Sequence, residues 1–438
     1  MEPLLTIPVS AAVQDSITLL AAGDLYLPPD FPAPPDGAAA SMLMDPDLSE
    51  LVSTADLSMI NLECPLARGD RPSRKSGPSL HGHPALARAL ASAGFRVAVL
   101  ANNHITDQGD GPMMATKALL QAEGVEPVGI GADLEDACKP VWLESGGLKI
   151  AVLAFAEHEF CCAGPGRAGA AQLEPAIVGR AILATRPTAD LVIVNVHGGN
   201  QFYFAPSPQM QTWCRFFVDC GADAVIGHHP HCVQGTEIYR GRPIVYSLGN
   251  FLFNYSGEWT WSPSWYVGWV VRLRLGAGGV RSMELFPIQQ GSEATGGRAV
   301  LMDRRPCDDY RVRLNRLNDV ASDPELIREF WRCLCHDRRP EFAGLLLSGA
   351  CAGPAGLWRM FKGSVREASI FRFGAWMAGM LGRYATTART SQREVTALCN
   401  LLRCASHLEV VRTVLEMEAE GITPSAVIWS EYQELMSS

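Results

Sequence analysis

Seven short apolar runs, six of which end in or beside Asp, Glu, Asn or His, recur through the N-terminal part of the chain. They lie at residues 17–24, 56–63, 96–104, 149–156, 191–198, 223–229 and 243–251. Their aliphatic and β-branched residues are typical of buried strands. Amphipathic segments between them, such as 113–123 and 209–220, are typical of helices. This alternation predicts an α/β fold in which helices cover β-sheets, and residues 269–275 and 283–290 are predicted to add two further strands.

The polar residues at the ends of these runs are the second informative feature. They are Asp24, Glu63, Asn102, Asn103, His104, Asp107, His197, His228, His229, His231 and Asn250. Ligands of α/β sheets bind beyond the carboxyl ends of the strands, where successive loops converge. The sequence therefore predicts that these side chains surround one pocket. Any one of them alone is more often a turn residue, a helix cap or a satisfied polar group, so the prediction depends on their joint occurrence.

The residue types at these positions suit divalent metal ions. Imidazole and carboxylate groups bind Zn, Mn and Fe, and a bridging carboxylate suits a pair of ions. Two such ions polarise a phosphoryl or acyl oxygen, and a water bound to one of them reaches a pKa of about 7. His229 and His231 flank Pro230, so a rigid loop is expected to direct both rings into one cluster. The predicted cofactor is one or two divalent ions, with Mn, Fe or Zn as the candidates.

The composition narrows the class of protein. The 438 residues are 47% hydrophobic and 19% charged, which allows a large core. The net charge of −9, without a block of Lys or Arg, does not indicate nucleic-acid binding. No membrane-spanning helix is expected, because no uncharged apolar run reaches about 18 residues, and residues 1–16 lack a signal-like basic segment. The thirteen cysteines lack zinc-knuckle and thioredoxin spacings, so we interpret them as reduced thiols of a cytoplasmic protein.

Several of the polar strand ends belong to longer motifs. These are Gly23-Asp24, Asn61-Leu-Glu63, Ala101-Asn-Asn-His104 with Asp107 and Gly109, His197 with Gly199, GADAVIGHHPH at 221–231 and YSLGNF at 246–251. The series resembles the CapA (poly-γ-glutamate capsule biosynthesis) family over about residues 16–290. The resemblance implies a calcineurin-like metallophosphoesterase fold, which is a four-layer α/β/β/α sandwich with a two-metal site. The pattern beyond it is helical, which predicts a sandwich domain at 1–300 and a helical C-terminal domain at 301–438.

The resemblance also implies roles for individual residues. The implied metal ligands are Asp24, Glu63, Asn103, His197, His229 and His231. Asp24 would bind the first ion, Glu63 would bridge, and His231 would reach back to the first ion. Asn103, His197 and His229 would complete the second ion's site. His104 would act on the substrate as proton donor or charge stabiliser, with Asp107 orienting its ring.

The chain departs from related motifs at two places. Phosphoesterases have Asp-x-His at the first motif, whereas Tyr26 stands at its third position here, so one ion lacks a usual ligand. His228 is a conceivable replacement, although a satisfied loop residue is the simpler interpretation. Related CapA-like chains have His-Trp-Gly-x-Glu-Tyr at the fifth motif, whereas this chain has His197-Gly-Gly-Asn-Gln-Phe202. The second change predicts a reshaped pocket and a substrate other than the family's polymer.

Five residues are candidates for substrate binding, of which Lys75 and Glu157 are additional to the strand-end residues. They are Lys75, Asn102, Glu157, His228 and Asn250. Lys75 lies in a Lys-Ser-Gly-Pro segment, where a cation would hold a phosphate or carboxylate; an exposed loop lysine is the alternative interpretation. Glu157, in Glu-His-Glu159 after the fourth apolar run, is predicted to reach the rim of the pocket, unless it is only a solvated surface group.

The C-terminal tail contains aromatic and basic residues at helical spacing. They are Trp358, Phe361, Phe373, Trp376 and Met380, with Arg359, Lys362, Arg366 and Arg372. A membrane-facing or partner-binding helix would have this pattern, but an ordinary helix that buries aromatic residues also has it. We expect a helical cap packed on the sandwich.

The predicted function is that of a metal-dependent enzyme. It would hydrolyse or transfer a phosphoryl or acyl group, including a γ-glutamyl group, on a soluble anionic small molecule in specialised biosynthesis. One alternative is a non-catalytic accessory protein that binds an anionic polymer or a synthase in capsule assembly. Another is amide-bond formation through an activated acyl phosphate. Metal content separates the enzyme from the accessory protein.

Overall fold

The fold is taken from a computed structural model that describes residues 3–10, 16–31, 39–254, 263–302, 304–350, 400 and 403–437. The aromatic and basic residues of the tail, 358–380, lie outside the described residues. So does most of the Pro-rich segment at 27–37, which the sequence predicts to be a surface loop.

Strands and helices alternate as the sequence predicts. The strands are β1 (Leu5–Pro8), β2 (Ile17–Tyr26), β3 (Leu57–Leu62), β4 (Val97–Val99), β5 (Glu126–Val128), β6 (Ile130–Gly131), β7 (Val141–Ser145), β8 (Leu148–Ala156), β9 (Gly169–Ala170), β10 (Leu191–His197), β11 (Ala224–His228), β12 (Thr236–Tyr239), β13 (Arg242–Val245), β14 (Asn250–Phe253), β15 (Val267–Gly276), β16 (Gly279–Gln289) and β17 (Val300–Leu301). The helices are α1 (Ala39–Leu43), α2 (Pro46–Ser53), α3 (Leu86–Ser92), α4 (Asp110–Ala122), α5 (Leu134–Ala137), α6 (Pro175–Thr185), α7 (Pro208–Asp219), α8 (Arg304–Ser322), α9 (Pro324–Ala350), α10 (Ala405–Glu420) and α11 (Ala426–Ser437).

Two large sheets form the centre of the molecule. The first has the strand order β1-β16-β15-β2-β3-β4-β5, with β14 beside β2 and β17 beside β16. The second has the order β12-β13-β11-β10-β8-β7. Strands β14, β2, β3, β4 and β5 run parallel, as do β8, β10, β11 and β13. Parallel sheets need cover on both faces.

The burial pattern shows how the sheets are layered. Alternate residues of β8 face in opposite directions, as strand geometry requires. Ile150 and Val152 share a core with the first sheet, whereas Leu153 and Phe155 pack with α6, α7 and their neighbours. Helices α2, α3 and α4 bury their apolar sides with the first sheet's strands. The predicted four-layer α/β/β/α sandwich with a C-terminal helical extension is therefore confirmed.

The carboxyl ends of the parallel strands lie in register. Asp24 of β2 pairs with Asn61 of β3, and with Asn250 of β14. In the second sheet His197 pairs with His228. The chains approach closely here, because a Cβ atom at Gly23 would lie 2.0 Å from the carbonyl oxygen of Gly249. This shared edge positions the polar side chains.

One predicted strand is wrong and another is too long. Residues 243–251 do not form a single strand, because the chain turns at Gly249, whose φ is +66°, and passes from β13 in the second sheet to β14 in the first. The run at 96–104 contributes only β4, and residues 102–107 form turns. Both differences arise where the backbone bends to deliver polar side chains.

The C-terminal helices pack on the sandwich near the loop that follows His197. Tyr203 contacts Trp331 of α9, with ring centroids 5.9 Å apart. Phe204 contacts Phe330 of α9 and Tyr432 of α11. The helical character of the described C-terminal residues agrees with the sequence pattern, while the division into domains at residue 300 stays a prediction. Among the described residues, no helix combines the length and apolarity that crossing a membrane requires.

Candidate metal centre

Two groups of buried donors meet at Glu63. One consists of Glu63, His197 and His229, and the other of Asp24, Glu63 and His231. Within each group the donor atoms lie within 4.8 Å of one another. Glu63 belongs to both groups, which is the position expected of a bridging carboxylate.

Several donor atoms converge on Nε2 of His197. It lies 3.1 Å from Oδ1 of Asn103, 3.1 Å from Nδ1 of His229 and 3.6 Å from Oε1 of Glu63. The same Oε1 of Glu63 also lies 3.5 Å from Nε2 of His231. Oδ2 of Asp24 lies 3.4 Å from Nδ1 of the His231 ring. All six residues implied to be ligands are thus brought together.

Unpaired buried atoms allow a test of whether a cation fits here. Glu63 is fully buried, yet its Oε1 accepts no hydrogen bond from any described residue. Nε2 of His228 is in the same condition within the described part of the chain. An unpaired buried carboxylate oxygen is costly, and a divalent ion would remove that cost. The donor set of carboxylate, imidazole and amide oxygen therefore fits a divalent ion.

The loop after β11 adopts strained backbone conformations to direct its imidazoles. His229 has φ +99° and His231 has φ +55°, on either side of Pro230. Such conformations cost about 1–3 kcal/mol each for a non-glycine residue. The backbone N–H of His229 donates to Oδ2 of Asp24 at 3.2 Å, which ties the strained loop to β2.

The two carboxylates have opposite electrostatic environments. Burial would raise the pKa of Asp24, but the adjacent imidazoles of His228 and His231 bring that pKa well below its ordinary value. Burial raises the pKa of Glu63 well above its ordinary value, and the negative charge of Asp24 raises it further. The charge of Lys75 lowers the pKa of Glu63 but does not offset these two effects.

The imidazoles are held in the neutral form that metal binding requires. Burial lowers the pKa of His229 to about 4. Burial and the neighbouring ring of His229 lower the pKa of His197 well below its ordinary value. At neutral pH both rings have a nitrogen lone pair available for a cation.

Asparagines at the strand ends orient the donors. Asn250 accepts from Nδ1 of His231 at 2.9 Å and donates to the Trp265 carbonyl. Asn61 donates to Oδ1 of Asp24 at 2.8 Å. The sequence predicts that Asn250 contacts substrate, and it predicts no role for Asn61. In the structure the side-chain amides of Asn61 and Asn250 are hydrogen-bonded to other groups of the protein. We therefore infer that both residues orient the side chains that could bind metal.

His104 belongs to a buried group with Asp107 and Lys75. Nδ1 of His104 lies 2.7 Å from Oδ2 of Asp107, and Lys75 Nζ donates to Oδ1 of Asp107 at 2.5 Å. Burial lowers the pKa of His104, and the charge of Lys75 lowers it further. Lys75 is not an exposed loop residue, because its side chain is only 4% exposed.

Both ends of the Asn102 side-chain amide are hydrogen-bonded within the protein. It donates to the Leu62 carbonyl at 2.8 Å, and its oxygen accepts from the backbone N–H of His104 at 3.2 Å. It is fully buried. These hydrogen bonds fix the turn that carries His104, while a substrate-contacting role for Asn102 stays a prediction.

His228 lies beside Asp24 rather than at a free rim. Its Nδ1 is 3.3 Å from Oδ1 of Asp24, and the residue is 1% exposed. This position suits the missing ligand of the first ion better than a substrate contact. Tyr26, which stands at the usual ligand position, packs against Phe253 with ring centroids 5.2 Å apart.

The Glu-His-Glu segment after β8 is oriented differently from the prediction. Glu159 faces the donors, since its Oε1 lies 3.8 Å from Nε2 of His229 and its Oε2 accepts from Asn103 at 3.4 Å. Glu157 instead accepts hydrogen bonds from Ser406 and Cys404. Glu157 is buried under Cys404 and Ser406 rather than solvated at the surface, and its role as a rim contact to substrate stays a prediction. The sequence indicates the segment but does not show which of its two carboxylates faces the donors.

The class of protein defined by these observations is a layered α/β/β/α sandwich with carboxylate and imidazole side chains at one strand edge that could hold a metal ion. Within that class, this chain belongs to the family described as "Bacterial capsule synthesis protein PGA_cap", whose model matches residues 18–255. The expected membership of the CapA-like family is confirmed. The match ends before α8, so the C-terminal helices lie outside it.

Individual relatives cover only part of this chain. "Capsule biosynthesis protein CapA" of Bacillus anthracis is 31% identical over 56% of this chain and 61% of its own length. A "Probable polyglutamine synthesis accessory protein" of Mycobacterium tuberculosis is 31% identical over 48% of this chain and 59% of its own length. The chain thus spans less than two thirds of either relative. A solved structure of "calcineurin-like phosphoesterase YfkN" from Bacillus subtilis superposes with a TM-score of 0.38 and 14% identity, over 72% of this chain and 99% of that one.

Proposed function

We propose that this protein is a divalent-metal-dependent enzyme that hydrolyses or transfers a phosphoryl or acyl group on an anionic small molecule. The observation that carries the proposal is the environment of Oε1 of Glu63. This oxygen is buried, accepts no hydrogen bond within the described residues, and belongs to both donor groups. A carboxylate kept in this condition without a cation would only destabilise the fold.

The residues proposed to hold the ions fall into two sets. Asp24, Glu63 and His231 would hold one ion, with His228 beside Asp24. Asn103, Glu63, His197 and His229 would hold the other. Bound divalent ions would supply Lewis-acid polarisation of a phosphoryl or acyl oxygen. Mn, Fe and Zn all suit this donor set.

His104 is the proposed proton-transferring residue. Its Nδ1 is committed to Asp107, which leaves Nε2 to exchange a proton with the substrate. Since burial and Lys75 lower its pKa, the ring is neutral in the free protein and can accept a proton. The proton-donor role expected from the resemblance would require an approaching anion to raise that pKa.

A non-catalytic accessory role is the second candidate. The name of the Mycobacterium tuberculosis relative favours it, since that protein is described as a synthesis accessory protein. Binding of an anionic polymer or a synthase would not need neutral imidazoles around a shared carboxylate. Amide-bond formation from an activated acyl phosphate would use the same donors as hydrolysis and remains a third option. A cytoplasmic location is part of the proposal and rests on the sequence alone.

Metal analysis with an activity screen tests the proposal. Purified protein is loaded with Mn, Fe or Zn, desalted, and assayed for metal content and for turnover of phosphomonoesters, phosphodiesters and γ-glutamyl amides. We expect near-stoichiometric metal, of which His229→Ala loses about one ion per chain. A protein that retains no metal, and whose thermal unfolding is the same with and without a chelator, would favour the accessory role.

A further inference from the structure

The loop that carries His229 and His231 is hydrogen-bonded to the loop that follows His197. The backbone N–H of Phe202 donates to the Pro230 carbonyl at 2.8 Å. This contact is made at the residue between the two imidazoles, where the backbone has a positive φ on both sides. Phe202 has a positive φ as well, of +62°. Non-glycine residues keep such conformations only where the surrounding structure holds them.

Gln234 adds two hydrogen bonds between the same two loops. Its side-chain amide donates to the carbonyl oxygens of Tyr203 at 2.8 Å and Ala205 at 2.9 Å. Gln234 is 3% exposed, so water does not compete for these bonds. Sγ of Cys232 also donates to the Tyr203 carbonyl, at 3.3 Å. The two loops are therefore joined at several points, and the Gln234 amide makes two of them.

The C-terminal helices pack against the first of these loops. Phe204 contacts Phe330 of α9 and Tyr432 of α11, with ring centroids 5.5 and 5.9 Å apart. The ring of Tyr203 lies 5.9 Å from that of Trp331 of α9. All five side chains are buried. Because aromatic pairs favour particular relative orientations, α9 and α11 fix the position of this loop.

Helix α8 holds the chain just beyond the second loop. The backbone N–H of Thr236 donates to Oδ1 of Asn318 at 2.7 Å, and the Thr236 hydroxyl donates to the same oxygen at 3.1 Å. A Cβ atom added at Gly235 would lie 2.2 Å from the carbonyl oxygen of Leu317. Only glycine lets the helix come this close. The C-terminal helices therefore contact both loops or the residues next to them.

We propose that the C-terminal helices position the metal-binding imidazoles of His229 and His231, and that Gln234 is the positioning residue that connects the two loops. We call residues 202–205 and 230–234 the loop pair. The consequence for metal binding rests on the proposed function, whereas the contacts of the loop pair do not depend on it. A role in the metal centre thus falls to helices beyond the family match at 18–255.

The strain in the loop pair explains why outside support is needed. Relaxation of the backbone at His229 or His231 to an ordinary φ would move its ring away from Glu63. A metal site keeps its affinity only when surrounding residues hold its ligands in place. Since the two imidazoles belong to different donor groups, a displaced loop would weaken both metal positions together.

The first experiment compares Gln234→Met with Gln211→Met in the full chain. Methionine keeps the length of the side chain and removes the donating amide. Gln211 is a matched control, because it is 4% exposed and donates to the Ala321 carbonyl at 2.9 Å. That bond connects α7 with α8 and does not involve the loop pair. Both variants lose buried hydrogen bonding, so both are expected to unfold at a lower temperature.

Manganese alone is the probe of the metal centre, and free manganese is measured by electron paramagnetic resonance. We expect about tenfold weaker binding in Gln234→Met, because the loop must then be ordered when the ions bind. Gln211→Met should bind manganese like the unaltered protein. Equal manganese affinity in the two variants overturns the positioning role, whatever their loss of stability.

Amide hydrogen exchange in the metal-free protein tests the same contacts without an ion. Exchange at 229–234 is expected to be about tenfold faster in Gln234→Met than in the unaltered protein. Gln211→Met should leave exchange at 229–234 unchanged. Unchanged exchange at these residues in Gln234→Met overturns the role of its side chain in holding the loop.

Phe330→Leu tests the contribution of the C-terminal helices without altering the loop pair. Leucine keeps the position apolar but removes the ring that contacts Phe204. We expect faster exchange at 202–205 and about threefold weaker manganese binding. Phe217→Leu, at a fully buried phenylalanine of α7 in the other core, is the control and should keep its manganese affinity. Unchanged manganese affinity in Phe330→Leu overturns the role of the helices.

The outcomes separate this inference from the proposed function. If the unaltered protein binds no manganese, the proposed enzymatic function fails, while exchange at 229–234 still decides whether Gln234 holds the loop. If manganese binds with equal affinity to the unaltered protein and all four variants, the proposed function stands and the positioning by the C-terminal helices is refuted.

Discussion

Lys75 Nζ lies 2.5 Å from Oδ1 of Asp107, and both side chains are almost completely buried. The other carboxylate oxygen of Asp107 lies 2.7 Å from Nδ1 of His104 and also accepts from the backbone N–H of Leu80. Asp107 therefore neutralises a buried lysine and fixes a histidine ring. Because burial leaves Lys75 without water, the pair is needed for folding as well as for the orientation of His104.

Asp107→Asn is predicted to destabilise the protein by about 3 kcal/mol, because it leaves the buried charge of Lys75 without its partner. Urea unfolding of the metal-free protein measures the change. Glu123→Gln, which removes the partner of Arg88 in an exposed ion pair, is the control and should cost less than about 1 kcal/mol. Equal losses in the two variants would contradict a structural role for the buried pair.

The raised pKa of Glu63 predicts that the stability of the metal-free protein depends on pH. The pKa of Glu63 is raised in the folded state, so the folded protein holds a proton that the unfolded chain has released. Its contribution is intact below the ordinary glutamate pKa and is lost as pH rises through the folded value. We expect chelator-treated protein to lose stability over this range and Glu63→Gln to lose less. A metal-loaded sample should not show the decline. Identical profiles of stability against pH for the metal-free unaltered protein and for Glu63→Gln would refute the assignment of the decline to Glu63.

The strands were predictable because their apolar runs carry the information locally. Runs such as 191–198 and 149–156 became β10 and β8 almost residue for residue. The split of 243–251 was not predictable, since the continuous apolar run conceals a turn at Gly249 that depends on which sheet each half joins.

The metal centre was predictable to the extent that its residues follow strands. Asp24, Glu63 and His197 could be named because parallel strands bring their carboxyl ends together. The choice between Glu157 and Glu159 could not be made from the sequence. The hydrogen bond that turns Glu157 away comes from Ser406, 249 residues further along the chain, in a region for which no motif was recognised.

Separate variants are predicted to empty separate metal positions. His229 and His231 belong to different donor groups, and Glu63 belongs to both. His229→Ala and His231→Ala are each expected to lose about one ion per chain, whereas Glu63→Gln should weaken both positions. Metal content after equilibrium dialysis against manganese measures this. His336→Gln is the control, because His336 lies in α9 and contacts Trp429. Loss of all metal in each single variant would indicate one shared position.

Gly198→Ala is predicted to weaken the contact between Glu157 and the start of α10 at 404–407 without removing any polar group. The new methyl carbon would lie 2.6 Å from Cγ of Glu157, so the carboxylate must move away from Ser406. We expect faster hydrogen exchange at 404–409. Gly241→Ala, at a glycine with open space around it but φ +72°, serves as a control for general strain at a loop glycine. Normal exchange at 404–409 in Gly198→Ala would contradict the close packing.

The raised pKa of Glu157 predicts a second effect of pH on stability, which can be measured separately from that of Glu63. Burial raises the pKa of Glu157 to about 7, against hydrogen bonds from Ser406 and Cys404 that lower it. Since the folded pKa exceeds the unfolded value, its contribution to stability is complete below about pH 4.5 and disappears as pH rises to about 7. A shift of this size corresponds to about 3 kcal/mol.

Glu157→Gln has no such proton, so it should gain up to about 3 kcal/mol relative to the unaltered protein between pH 5 and pH 8. Urea unfolding in the presence of a chelator measures the difference and removes the effect of bound metal. Glu420→Gln, at an exposed position of the same α10, should give a difference that does not change with pH. If Glu157→Gln behaves like Glu420→Gln, the Glu157 carboxyl is ionised at neutral pH, and its bonds to Ser406 and Cys404 hold a charge rather than a proton.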